Sequence, residues 1–543
     1  MTAGRRTHDW TSNIGGIMRR GAFAGTCRVL AVSGLCVTTA LVSLVSVESS
    51  GLPASASSVA AGAARTTAQA PLRKAPFEKA ATALPGDLVT YDYDNTRSGE
   101  DTVDPPIGNL SSAPAWDDDS LDGGVYAEPL VYDATVYVAT ENDSVYAIAA
   151  RSGNVLWHLQ VGTSVSTSVI DSAPTLSSSC GDINPLGITG TPVIDTATNE
   201  IFVAEETELP GSSDWQGIRH WLVAISLTGH NVLWHRDIDP PHGNDPSYYY
   251  IPAEQQRPAL TLANGRLYVA FGGLVGDCGQ YHGYVVDLPI SGVGPLVTYQ
   301  VPTHREGAIW ETNGAVVSPQ GDLYVATGNG SSNTIADFDE GNSIVELSPD
   351  LKRLGYWAPS DWVQLNDDDW DLGSAGPIVV PGTDLLFVAG KPSASGDYGY
   401  LMTEGHLEGI SHGAYTGPAC PGGGDFGADA SDVIGTGKSA RTLVFLACGS
   451  GTEALQVTTS PMAFHRAWSP SSGTPNGPPI VAGGLVWALD WHNALLYGTN
   501  PLSGHVVVRR TTDALEHFAT PGVGDGMIFV PTGGGVEAFR TVA

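Results

Sequence analysis

The stretch richest in groups that do chemistry is Asn366 to Pro377, NDDDWDLGSAGP. The carboxylates of Asp367, Asp368, Asp369 and Asp371 and the amide of Asn366 crowd around Trp370. Oxygen-rich groups at this density can hold a hard cation such as calcium, and a carboxylate beside such a cation can take a proton from an alcohol. The same residue types cap turns by accepting backbone hydrogen bonds, so the segment equally suits a junction between two pieces of β-structure. Asp367, Asp369 and Asp371 match the opening of an EF-hand calcium loop, but Leu372 stands where that loop needs glycine and Ile378 where it needs glutamate. The segment is not an EF-hand.

Other reactive patterns are weaker. GGGDFG, Gly422 to Gly427, contains G-x-G-x-x-G, yet no strand and helix frame it, so it reads as a loop rather than a dinucleotide site. There is no G-x-S-x-G elbow and no H-E-x-x-H, which removes the usual marks of serine hydrolases and zinc proteases. His304, His412 and His492 lack ligand spacing, and the absence of C-x-x-C argues against a zinc site or an attached haem.

The elements that must position these residues are short strands. In 543 residues there are 67 Gly and 36 Pro but only 15 % charged side chains, a composition of strands joined by tight turns. EPLVYDATVYVATENDSVYAIAARSGNVLWHLQV, from Glu128, is followed by GTPVIDTATNEIFVAEE and HWLVAISLTGHNVLWHRDI, and weaker copies continue to ATPGVGDGMIFVPTGGGVEAF. Repeats of four strand-like segments with alternating apolar residues predict an all-β, eight-bladed β-propeller of four-stranded antiparallel blades over residues 86–543. The last repeat lacks a fourth strand, and DLVTYDYDNTRSG, from Asp87, is the expected donor that closes the ring with both termini. Trp157 and Trp234 follow Gly153 and Gly229, which predicts turns made by glycines with positive φ and aromatic cover for the flank of a neighbouring blade.

Ahead of the repeats, Arg19, Arg20 and Arg28 precede the uncharged run Val29 to Val47, so residues 1–50 read as an export signal or an N-terminal membrane anchor. Residues 51–85, rich in Ala, Ser, Thr and Pro, read as a disordered linker. In a secreted or cell-surface chain the remaining Cys180, Cys278, Cys420 and Cys448 suggest two disulfides. Of three pairings, Cys180 with Cys278 and Cys420 with Cys448 is the expected one, because each would join neighbouring repeats. A net charge of −32 argues against nucleic acid and anionic lipid as partners. A protein or small-molecule ligand is expected instead, bound by a monomer whose membrane contact, if any, is the N-terminal anchor.

YAIAARSGNVLW and VAISLTGHNVLW, with LYVATGNGSS, EGNSIVELSPDLKRLGYW, NDDDWDLGSAGP and LLFVAGKPSASGDYGYLM in that order, resemble the pyrroloquinoline-quinone propeller superfamily. That superfamily holds quinoprotein alcohol dehydrogenases and non-catalytic propellers such as the outer-membrane assembly lipoprotein. Carried over from the dehydrogenases, the resemblance implies Asn329 as a calcium ligand, Asp371 as base and metal ligand, and Lys391 and Glu128 as contacts to the quinone. It leaves the acidic calcium ligand open among Glu205, Glu206 and Glu208, with Glu206 the central choice. The chain departs from the dehydrogenases at Ser179 and Cys180, where they carry two adjacent cysteines, and no arginine follows in that segment. Trp215, Trp221 and Trp310 are present as aromatic walls, without spacing that singles one out. The expected function is therefore a ligand-binding or protein-interaction propeller with no certain cofactor. The alternative is a calcium- and quinone-dependent dehydrogenase acting on an alcohol or sugar.

Overall fold

The computed structural model describes residues 86–542 apart from 175, 177–179, 241–250, 394–395 and 471–474. The export segment and linker expected over 1–50 and 51–85 lie outside the described residues. No helix among the described residues is long and apolar enough to cross a membrane.

Eight sheets of antiparallel strands follow one another along the chain and form the blades of a propeller, the fourth gaining an added strand, Glu408–Ile410, parallel to Arg353–Ala358. Their first strands are Leu130–Tyr132, Val193–Asp195, Thr261–Ala263, Val316–Val317, Ile378–Val379, Ala430–Ile434, Ile480–Ala482 and Gly522–Gly524, and blades 1 to 8 take their numbers from that order. The two central strands of a blade are buried on both faces and read as apolar runs, as in Thr135–Thr140 and Ser144–Ala149. The fourth strand alternates, as in Asn231–Asp237, because one of its faces meets water.

Tryptophans near the fourth strands pack against turns of the next blade. A Cβ on Gly153 of blade 1 would lie 2.8 Å from the Trp116 ring, and one on Gly292 of blade 3 would lie 2.6 Å from the Trp234 ring. Both glycines have positive φ, +73° and +69°, so the turn and the ring contact each require the missing side chain. Trp468 covers Gly504 of blade 7 in the same way. The expectation for Gly229 needs correction: the positive φ in that turn, 52°, belongs to His230, whose ring stacks on Trp157 at 5.4 Å. An imidazole there offers the tryptophan a flat partner, and histidine is among the residues that tolerate the left-handed region.

Ring closure also differs from the expectation. The C-terminal strand Gly535–Val542 is completed by Asn109–Leu110 and Trp116–Asp118, both antiparallel to it, rather than by DLVTYDYDNTRSG. That segment crosses the axis of the ring. Leu88 exchanges backbone hydrogen bonds with Val131, and Val89 O, Asn95 O, Thr96 O, Ser98 O and Gly99 O accept from Ile194, Val317, Val379, Ser431 and Val481. Asn95 Nδ2 donates to Leu262 O and Tyr93 Oη to Val523 O. Each blade is thereby touched at its first strand. Asp92, Tyr93, Arg97 and Gly99 take positive φ in this segment, which lets the chain coil within the channel instead of extending as a strand. The guanidinium of Arg97, fully buried, donates to Thr90 Oγ1, Tyr91 O, Leu260 O and Thr261 Oγ1.

Candidate functional site

The acidic stretch joins blades 4 and 5. Residues Trp362–Asp368 form a short helix that ends where Asp369 enters the left-handed region, φ 58°, and returns its N–H to Leu365 O. This reversal aims Asp369 and Asp371 back towards Asn329, in the loop that follows strand Leu323–Ala326 of blade 4. The Asn329 N–H donates to Asp371 Oδ1 at 2.6 Å, and Asn329 Nδ2 donates to Asp369 Oδ1 at 3.0 Å. Asn342 Nδ2 donates to the side-chain oxygens of both Asn329 and Asn366, while Asn342 Oδ1 accepts from the Leu372 N–H. Just after strand Leu385–Ala389 of blade 5, Lys391 places Nζ 2.8 Å from Asp369 Oδ1 and 2.5 Å from Asp371 Oδ2. Burial works against that ammonium, but Asp371 and Asp369 more than offset it and hold Lys391 above the ordinary lysine range.

Asn329, Asp371 and Lys391 are thus brought together, and Trp310 joins them: Lys391 Nζ lies 5.9 Å from its ring centroid. Asp277, next to Cys278, also faces this group, and burial followed by the charge of Asp371 pushes its carboxyl up. It accepts a 2.6 Å hydrogen bond from Tyr281. The remaining candidates are engaged elsewhere. Glu128 is 1 % exposed, accepts from the Asp92 N–H of the axial segment, and is pushed up to about 8 by burial. Glu206 lies 3.3 Å from His220, whose other ring nitrogen lies 3.1 Å from Asp239. Burial disfavours a charge on His220, yet Glu206 and Asp239 raise it to about 10, so Glu206 is neutralised from within. Glu205 stands with Asp143 beside Gly162, at the contact of blades 1 and 2.

The oxygens of Asn329, Asp369 and Asp371 are of the kind that calcium prefers. Both Asp371 oxygens and Asn329 Oδ1 accept protein donors, and the ammonium of Lys391 lies between two carboxylates.

Towards the axis, an aromatic group spans several blades. Trp310 and Phe518 lie 6.5 Å apart, Phe518 stacks with Phe426 at 6.3 Å, and His517 packs edge-on against Phe518, Tyr126 and Trp491. Arg257 sits beneath, 4.8 Å from the Phe518 centroid, and donates to Trp310 O. Burial and the charge of Arg257 push His517 down to about 3, so it is neutral. A small cavity under Arg257 and Phe518 is lined by Thr189, Thr191, Thr312 and Thr520 and by Tyr91 of the axial segment, whose hydroxyl bonds Thr312 and Thr520. The disulfides Cys180–Cys278 and Cys420–Cys448 form as expected, with Cα atoms 5.9 and 5.1 Å apart.

Sequence reasoning missed Asn342, Asn366, Arg257 and Phe518. Asn366 and Asn342 lie in stretches that carry the resemblance but were given no role, whereas Arg257 and Phe518 become neighbours only through the closure of the ring.

The family described as outer membrane protein assembly factor BamB matches residues 111–269. No curated protein matches the chain. Among solved structures, the quinohemoprotein alcohol dehydrogenase from Comamonas testosteroni is 16 % identical, with a TM-score of 0.58 over 85 % of this chain and 81 % of that one. Quinohemoprotein alcohol dehydrogenase ADHIIG from Pseudomonas putida HK5 is 15 % identical, with a TM-score of 0.58 over 84 % and 80 % of the two chains. A europium-containing methanol dehydrogenase is 14 % identical, with a TM-score of 0.57 over 83 % and 91 %. At these identities the likeness is one of fold. The chain is an eight-bladed β-propeller whose residues 111–269 match the BamB family's repeat and whose fold is shared with the quinoprotein dehydrogenases.

Proposed function

We propose that this chain is an exported, ligand-binding propeller in which the aromatic group receives a small, flat, negatively charged molecule and does not oxidise it. Lys391 carries this reading. Its ammonium bridges Asp369 and Asp371 and keeps a cation against the Trp310 ring. Arg257 adds a second cation beneath Phe518, and half-buried rings supply the apolar faces on which a planar ligand stacks. The two disulfides and the likeness to extracytoplasmic propellers support export.

The convergence of Asn329, Asp371 and Lys391 on Trp310 favours a second reading, a quinone-dependent dehydrogenase. It requires Lys391 to release one carboxylate when calcium enters. A dye-linked alcohol oxidation assay after addition of pyrroloquinoline quinone and calcium separates the two. The expected result is no dye reduction above that of Asp371→Ala and Asn329→Ala. Calcium-dependent dye reduction abolished by both substitutions establishes the dehydrogenase instead.

A further inference from the structure

The seam that closes the ring carries a second concentration of carboxylates, remote in sequence from the acidic stretch. Asp117, on the N-terminal strand Trp116–Asp118, pairs directly across from Glu537 on the C-terminal strand. Asp513, in the loop that leaves strand Val506–Thr511 of blade 7, completes a group whose oxygens lie within 4.8 Å of one another. Like charges directly opposite across two strands weaken a sheet, and this pair sits where the two ends of the chain hold each other. The unfavourable placement is compounded at Glu537. That side chain is 4 % exposed, and its Oε2 has no hydrogen-bond donor. A buried carboxylate oxygen with no donor is costly and calls for a cation or a proton. Asp118 and Asp119 lie alongside, so the local charge is strongly negative.

We propose that Asp117, Asp513 and Glu537 form a binding site for a hard divalent cation of the calcium class, which clamps the N-terminal strand to the C-terminal strand and so locks the ring. The donors are all carboxylate oxygens, which suits calcium rather than zinc or copper. Asp117 and Asp513 are exposed, which gives the ion a path from solvent and leaves room for water to complete its coordination. Three acidic ligands in such a partly open setting match the weaker calcium sites of extracellular modules, with a dissociation constant on the order of 0.1–1 mM. The site joins three separate pieces of chain, so the ion acts on closure and not on any single blade.

The experiment is a thermal-unfolding titration of the full chain with calcium chloride, against magnesium chloride and EDTA, repeated for Asp117→Asn, Glu537→Gln and Asp371→Asn. Sensitised terbium emission is read in parallel, with Trp116, adjacent to Asp117, as donor. The clamp predicts a saturable rise in unfolding midpoint of several degrees with calcium, kept in D371N and lost in both D117N and E537Q, and terbium emission that calcium displaces. It also predicts that in EDTA the two seam variants unfold no earlier than the wild type, because each removes repulsion. A calcium response absent from the wild type, or present unchanged in D117N and E537Q, overturns the site. A response lost only in D371N places the cation at the axial group instead and overturns it equally.

Discussion

The coiled segment within the ring and the aromatic group it meets through Tyr91 both carry charged residues and behave differently. In and beside the coiled plug, Asp92, Arg97 and Glu128 are fully or almost fully buried, and the segment from Leu88 to Gly99 bonds to every blade. In the aromatic group, Trp310, Phe426, His517 and Phe518 are only half-buried, and the charged groups beside them are a lysine shared by two carboxylates and an arginine under a ring. The difference teaches where function can reside. Charge that is matched by fixed backbone and buried partners holds a fold together, whereas charge beside half-open rings remains able to meet a ligand.

The comparison breaks most sharply at Arg97. Arg97→Ala leaves Thr90 Oγ1, Tyr91 O, Leu260 O and Thr261 Oγ1 without the buried donor they share and is expected to cost about 4 kcal/mol, at about 1–3 kcal/mol for each buried group left unpaired, read as a shift in the urea midpoint. A loss under 1 kcal/mol means the plug is not what ties the blades together. Next in size is the Cys180–Cys278 disulfide, which stiffens the loops around Asp277. Replacing both cysteines with serine is expected to cost about 3 kcal/mol and to raise amide exchange around Asp277 while residues 88–101 stay protected. Equal exchange in both regions would erase the distinction.

The last pair of tests are titrations of opposite sign. Glu128, beside the plug, is held at about 8 against an ordinary 4.5, so the folded state keeps a proton that the unfolded chain releases; its contribution is present below about 4.5 and lost as pH rises to 8. His517, in the aromatic group, is held at about 3 against 6.5, so stability is lost as pH falls from about 6.5 towards 3. Glu128→Gln is expected to flatten the alkaline limb of the stability profile and His517→Gln the acid limb. If either substitution flattens the other limb, the assignment of the two regions is reversed.

Blades were legible because strand alternation and turn residues are local, and so were the disulfides, which followed from repeat adjacency. The acidic stretch was legible as a group, and Asn329, Asp371 and Lys391 do meet. The plug was not legible as one: DLVTYDYDNTRSG has the apolar and aromatic content of a strand, and only the vacancy of the channel, a property of the closed ring, decides that it coils inside. Glu128 and Glu206 carried no sign of their partners either, because Asp92 and His220 reach them across contacts set by the ring and by cross-strand register.

The central claim is that the aromatic group binds a flat anion without a metal. Pyrroloquinoline quinone titrated into the full chain, followed by quenching of tryptophan emission in calcium and in EDTA, tests it directly. The account predicts saturable quenching with the same dissociation constant in both buffers, weakened about tenfold by Lys391→Gln. Quenching that requires calcium, or none at all from a folded protein, contradicts it.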